Sequence, residues 1–433
     1  MASTPGFKRP RGTQDILPEE AERWRRLEAL VHRHSAAFGY GEIRTPVFEE
    51  SELFIRTAGA SSDIVRKEMY TFRDHGGRLL TLRPEGTAGV GRAYLENGLA
   101  SAPQPVKLWY LGPMFRYDRP QAGRYRQHTQ YGIEIFGASS PLADVEVILV
   151  AHDLFERLGL TDVVVHLNDI GCPRCRPAYR EALVGYLVSR VDRLCADCRE
   201  RLARNPLRIF DCKDEDCRGL LEEAPLSVEY LCPECRAHHE RVEEGLTALG
   251  IPFVEDPRLV RGLDYYTRTV FETVHQPRDT GTDAGRAERV LCGGGRYDGL
   301  IEELGGPPTP GVGFGMGLER LLATVAEQGL EPPQAVGENR ALVFVVSLGT
   351  SLAAEGFRLA RALRRAGFAA VNDLLERSLR AQLKAADRAG ARWALIVGEE
   401  EAARGVVTVR DLRSGRQDEV PTGDVVEVLL REV

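Results

Sequence analysis

Eight of the chain's nine cysteines fall between residues 172 and 235, in four pairs: Cys172/Cys175, Cys195/Cys198, Cys212/Cys217 and Cys232/Cys235. The window around them, residues 165–252, reads as short amphipathic helices such as Ala178–Leu194. It interrupts a pattern of alternating helices and strands that covers residues 1–164 and resumes over 253–330. The chain therefore reads as one split domain carrying an inserted, mostly helical module. A Pro/Gly-containing linker at 331–338 leads to a last domain at 339–433.

Met1–Pro10 lacks the apolar stretch of a secretory signal, so reduced thiols or metal ligands are favoured over disulfides. Four pairs at this spacing suit two four-cysteine zinc sites, with the pairing left open. A set of free, partly buried thiols is the other reading. No run of about 18 apolar residues marks a membrane span. The expected address is the cytoplasm.

The net charge of −7 argues against a basic coat for nucleic acid. Its distribution says more: residues 340–433 carry 15 Lys or Arg against 13 Asp or Glu, while the remainder is acidic. In that last domain Arg377, Arg380, Lys384 and Arg388 recur at helical spacing. They form a solvated face or a contact for a polyanion backbone. Ala341–Val346 and Trp393–Val397 read as buried strands, and Ala353–Ala366 and Ser378–Ala389 as helices, giving a small, mainly parallel α/β unit.

In the split domain, Glu19–Phe38 predicts an amphipathic helix, with Trp24, Leu27, Leu30 and Val31 on one face. Pro105–Tyr110 and Gln127–Phe136 read as strands joined by a loop holding Arg116, Arg119, Arg124 and Arg126. Such cation density repels itself unless anions or acids neutralise it. In the second strand Gln130, Gly132 and Glu134 share a face. An extended Thr81–Thr87 (TLRPEGT) would likewise present Arg83, Glu85 and Thr87 together, either as a solvated strand end or as a site for an ammonium group. Arg261–Tyr266 (RGLDYY) sets a fixed cation beside two tyrosines. The glycines of Cys292–Tyr297 (CGGGRY) allow close backbone approach to a ligand. Gly311–Arg320 (GVGFGMGLER) lacks the spacing of a Rossmann fingerprint or a P-loop. Gln276–Glu288 is polar and without periodicity, as a mobile loop would be.

Taken together, TLRPEGT, GPMFRYDRPQAGRYRQ, RGLDYYTRTVFE, CGGGRYDGL and GVGFGMGLERL resemble the histidyl-tRNA synthetase family in order and spacing. Arg11–Asp15 and Ile64–Phe72 match its N-terminal part, and the last domain resembles the anticodon-binding domain of class II synthetases. The resemblance implies an α+β catalytic domain, an antiparallel sheet flanked by helices, followed by an α/β anticodon-binding domain. It implies ligation of L-histidine to its tRNA through a histidyl-adenylate, with ATP consumed and Mg²⁺ on the phosphates.

By the same resemblance, Arg116, Arg261 and Arg320 are the catalytic cations, and Arg116, Arg124, Gln130 and Arg320 contact ATP. Glu85, Gly86, Thr87, Gln130, Glu134, Arg261, Tyr265 and Tyr266 hold histidine, with Glu134 and Tyr266 on the imidazole nitrogens. A homodimer through Glu42–Pro46 and a zinc-stapled insertion are expected. Asp118 stands where the family usually has Glu, and His128-Thr129 replace Phe-His. A non-catalytic regulatory paralogue would have lost the RGLDYY arginine and the last domain, and both are present. A zinc-dependent RNA-binding protein would leave TLRPEGT and GVGFGMGLER unexplained.

Overall fold

The strands expected at 105–110 and 127–136 form the centre of the fold. In the computed structural model, which describes residues 7–59, 62–118, 123–276, 289–333 and 340–432, Val106–Phe115 pairs antiparallel with Gln127–Phe136 along its whole length. Both belong to an eight-stranded sheet. Its strands in chain order are β1 (Gly41–Glu42), β2 (Val106–Phe115), β3 (Gln127–Phe136), β4 (Val163–Asp169), β5 (Phe253–Glu255), β6 (Thr267–His275), β7 (Arg289–Arg296) and β8 (Gly311–Gly317). Across the sheet they run β1-β2-β3-β8-β7-β6-β4-β5. All pairs are antiparallel except β1–β2 and β4–β5 at the two edges.

Period-2 alternation gives the sheet two different faces. Tyr131, Ile133 and Ile135 point into the main core, where Pro18–Ala37, Pro141–Arg157, Pro233–Leu249 and Leu318–Glu327 pack. Gln130, Gly132 and Glu134 point the other way, beneath the helix Thr87–Glu96 and the loop bearing Tyr265 and Tyr266.

The helix Pro141–Arg157 is buried almost all round, acids included. Each buried acid has a partner: Asp144 meets Arg296 and His238, Glu146 meets Lys107 at 2.6 Å, and Asp153 meets Arg361 at 2.7 Å. Buried charge is tolerated only on such terms.

Three expectations shift. First, Thr81–Thr87 is not extended throughout: Leu82 ends its strand and Thr87 begins a helix. Arg83 therefore turns away from Glu85 and donates to the carbonyls of Thr45 and Pro113, each at 2.9 Å. Second, the insertion's expected limits cut across the core, because β4 runs on to Asp169 and the helix Pro233–Leu249 lends Val242, Leu246 and Leu249 to the main core. The helix expected at 178–194 spans Arg176–Val188, followed by a 3₁₀ turn. Third, Arg340–Ser347 lies between parallel partners Phe368–Asn372 and Trp393–Val397 in the last domain, but an antiparallel hairpin, Val406–Asp411 with Gln417–Pro421, extends that sheet. Among the described residues, no helix is long and apolar enough to cross a membrane.

Candidate active site

Strand register turns scattered glycines into one feature. Tyr110 pairs with Gly132, Gly132 with Gly315, Gly315 with Gly293, and Gly293 with Glu272. This row across five strands carries side chains only at its ends. The row beside it reads Leu108, Glu134, Gly313, Gly295 and Val270. Bare backbone thus paves the middle of the sheet, and the tips of neighbouring side chains reach in over it from the rim. A Cβ at Gly293 would collide with the Arg261 guanidinium, and one at Gly313 with the Glu134 carboxylate. At Gly313 the Ile133 carbonyl is also within 2.3 Å of that position, which leaves room for glycine alone, whereas at Gly293 a side chain would have to displace the guanidinium.

One end of this trough is a buried polar pocket. Glu134 is fully buried and accepts from Thr87 Oγ1 at 2.7 Å and from the Tyr297 hydroxyl. Burial pushes its carboxyl up to about 8 against the pull of those donors. Glu85 accepts from the backbone N–H groups of Thr87 at 2.6 Å and Ala88 at 2.9 Å, capping the helix Thr87–Glu96. Burial raises its carboxyl too, with the two amides opposing. Tyr265, Tyr266 and Tyr297 pack as a triad with ring centroids 4.7–6.4 Å apart. Tyr110 fills the space beside Gly86 and Gly132, with its hydroxyl 3.5 Å from Gln130 Oε1.

The other end gathers cations. Arg116 leaves the end of β2 and donates to the Pro84 carbonyl at 2.7 Å. Arg320, in the first turn of Leu318–Glu327, donates to the Val290 carbonyl at 2.6 Å. Among the described residues, no carboxylate lies within ion-pair distance of either. Burial and these two arginines push the His128 imidazole down to about 3, so it is neutral. Arg261 pairs with Glu272, and its guanidinium carbon lies 5.9 Å from the Tyr266 ring centroid. Arg124 lies 3.5 Å from Asp118. Arg119 and the segment 277–288 of the expected mobile loop lie outside the described residues. Beneath the cations, Glu319 accepts from the Thr129 N–H at 2.7 Å.

Beside the trough, a cavity of about 1030 Å³ is walled by the insertion and the loop holding Arg261. Arg176, Arg180, Arg199, Arg204 and Arg208 line it. Eight of the nine cysteines form two groups, Cys172, Cys175, Cys232 and Cys235 in one and Cys195, Cys198, Cys212 and Cys217 in the other.

A family model described as histidyl-tRNA synthetase matches residues 12–175 and 213–321, more than half of the chain. The chain belongs to the histidyl-tRNA synthetase family. An anticodon-binding-domain model matches residues 342–432. A histidine–tRNA ligase of Moorella thermoacetica is 55% identical over 97% of this chain and 97% of its own length. One of Desulforamulus reducens is 52% identical over 96% of this chain and 97% of its own. The solved apo structure of the Staphylococcus aureus histidyl-tRNA synthetase superimposes with a TM-score of 0.62 at 39% identity, covering 98% of this chain and 99% of that one.

Within this histidyl-tRNA synthetase fold, Glu85, Gly86, Thr87, Gln130, Glu134, Tyr265 and Tyr266 gather at the pocket end, and Arg116, Arg261 and Arg320 line the trough beyond it. Sequence reasoning gave no site role to Tyr297, Tyr110 or Glu272, and singled out His128 only as a departure from the family pattern. Tyr297 closes the quoted CGGGRY segment, but its link to Glu134 requires knowing that β7 and β3 flank β8. Glu272 shares a row with Gly293 only through the same register.

Proposed function

We propose that this chain charges tRNA with histidine in two steps, and that the glycine-paved trough is where the first occurs. Its layout supports the reading: a buried acid and hydroxyl cluster at one end, Arg116 and Arg320 with no carboxylate partner among the described residues at the other, and backbone between them. Histidine binds with its imidazole toward Glu134 and the tyrosines and its ammonium toward Glu85, Thr87 and Gln130. ATP lies over the glycines with its phosphates at the arginines.

The histidine carboxylate, already ionised, attacks the α-phosphorus, and pyrophosphate leaves. No general base is needed, so the contribution of the site is positioning and charge neutralisation. Arg116 and Arg261 face the α-phosphate, Arg320 faces the γ-phosphate, and Arg124 supports the nucleotide. Mg²⁺ on the polyphosphate would add to the charge neutralisation these arginines supply. In the second step the terminal ribose hydroxyl of the tRNA attacks the adenylate carbonyl and AMP departs.

The arginine-lined cavity takes the 3′ end of the tRNA, and the exposed Arg380, Lys384 and Arg388 meet its anticodon arm. Arg377 is not part of that stripe, because its guanidinium is committed to Asp373. Zinc belongs to the insertion as a structural group. The enzyme works in the cytoplasm as a homodimer. The small sheet of Phe48–Glu50, Tyr70–Arg73 and Leu79–Leu82 leaves Phe48, Phe72 and Leu79 exposed in the single chain, beside Glu42–Pro46. Histidine-dependent ATP–pyrophosphate exchange tests the reading. Exchange that requires L-histidine is expected, and none at saturating histidine refutes it.

A further inference from the structure

We propose that the insertion holds two zinc ions in nested tetrathiolate sites, and that the module they order clamps the loop 261–266. The outer site is Cys172, Cys175, Cys232 and Cys235, and the inner is Cys195, Cys198, Cys212 and Cys217. The pairing follows from the fold: the first and last pairs stand at the two ends of the insertion, and the middle pairs meet inside it.

Within each group all four sulfurs lie within 4.8 Å of one another. Closest approaches are 3.6 Å for Cys172–Cys175, 3.7 Å for Cys175–Cys235 and 3.8 Å for Cys195–Cys212. A tetrahedron with Zn–S bonds of about 2.3 Å has an edge of roughly 3.8 Å. A disulfide would need about 2.05 Å. Several of the sulfurs also meet hydrogen-bond donors. The Cys232 N–H points at Cys175 Sγ at 3.1 Å, the Cys195 N–H at Cys217 Sγ at 3.1 Å, and Arg174 reaches Cys232 Sγ at 3.8 Å. Amides and a guanidinium aimed at sulfur favour thiolate, the form that binds metal. Thiols filling a plain core would face apolar carbon, as Cys198 and Cys217 of the inner group partly do. The outer group has little of it, with only Leu231 beside the cysteines in its cluster.

The inner site is peculiar to this kind of insertion, since Cys195, Cys198 and Cys212 fall in the gap that the family model leaves at 176–212. Its surrounding core is small, built on side chains such as Tyr179, Leu183, Leu187, Ile209 and Leu220. A module that size gains much of its order from a metal.

The clamp rests on the reading of 261–266 as the histidine and ATP loop; the metal sites do not. Arg176 follows Cys175 directly and donates to the Tyr266 carbonyl. On the other side Asn205 donates to Asp264 Oδ1 at 2.7 Å and Arg208 to the Gly262 carbonyl at 2.9 Å. The insertion thus grips both ends and the middle of the hexapeptide that carries Arg261, Tyr265 and Tyr266.

Metal analysis of the full-length protein purified without chelator should give two zinc ions per chain. Replacing zinc with Co²⁺ should produce the thiolate charge-transfer and tetrahedral d–d bands of four-sulfur coordination. Cys195→Ser with Cys212→Ser should leave one metal. A folded protein with under half a metal per chain, and all its thiols freely titratable, would overturn the sites whether or not the enzyme is active. For the clamp, Cys172→Ser with Cys235→Ser should keep the inner metal and raise the histidine KM about tenfold while the ATP KM stays level. Arg176→Ala, which keeps all eight ligands, should shift the histidine KM in the same direction if the double variant does not fold. An unchanged histidine KM in Arg176→Ala would overturn the clamp. Two metals on a chain that fails histidine-dependent exchange would instead overturn the proposed function and leave the sites standing.

Discussion

Gly293 lies directly beneath Arg261, and the space where its side chain would stand is filled by the guanidinium. Glu272, its neighbour in register, holds that guanidinium from the side. A glycine in a strand and an arginine in a loop are therefore one functional unit.

Replacing the arginine removes a cation that acts on the developing phosphate charge. Arg261→Ala should lower the rate of pyrophosphate exchange by roughly 100-fold or more while histidine binding stays measurable by calorimetry. Gly293→Ala should lower the same rate by displacing Arg261. If Gly293→Ala retains full turnover, the close approach has no catalytic consequence.

Glu134 is read as the acceptor for the imidazole. Glu134→Gln should raise the histidine KM by roughly tenfold, the worth of a buried hydrogen bond, with little change for ATP. The site was assembled from residues that differ in how visible they were: Glu134 and Gln130 followed from period 2 in one strand. Tyr297 did not, because its approach to Glu134 depends on strand order.

The same carboxyl affects stability. It titrates near 8 in the fold and near the ordinary value of 4.5 when unfolded. Between those pH values the native state keeps a proton that the unfolded chain has released, so the favourable contribution present at low pH is lost as pH rises through the window. Glu134→Gln should therefore gain Tm relative to the parent as the pH is taken from 5 to 8.5. The differential is a few kcal/mol at most. Parallel melting curves for the two proteins across that range would count against the raised carboxyl.

Reversing charge at Arg380 and Lys384 should raise the KM for tRNA roughly tenfold, leave the KM for ATP unchanged and flatten the salt dependence of charging. Equal effects on both substrates would remove this helix from the tRNA contact. Arg377 was assigned to the same stripe from spacing alone. Its pairing with Asp373, four positions back, lies just ahead of the helix Leu379–Arg388 and could not be read from helical periodicity.

Phe48→Glu with Phe72→Glu should shift the protein from dimer to monomer in sedimentation velocity, since it places charge on the exposed faces of the small sheet. A sedimentation coefficient identical to the parent's would locate the dimer contact elsewhere.

Long periodic segments were the legible part of the fold. Gln127–Phe136 and Trp393–Val397 are strands over the residues their patterns marked, and Glu19–Phe38 is a helix within a residue at each end. Punctuated segments were not. TLRPEGT alternates polar and apolar residues, but Pro84 ends the strand and the Glu85 carboxylate starts a helix instead. The hairpin at Val406–Pro421 went unread because its strands are short and lie at the edge of a sheet set by distant partners.

The helix Pro233–Leu249 makes the cysteine-rich segment less of a cassette than its composition suggests. His238 touches Asp144, which also holds Arg296, while Val242 and Leu246 belong to the main core. Splicing at the compositional borders would tear out a structural beam along with the ornament. A minimal or chimeric synthetase would have to be spliced inside the outer sulfur group, between Cys175 and Cys232, where the two chain ends already meet.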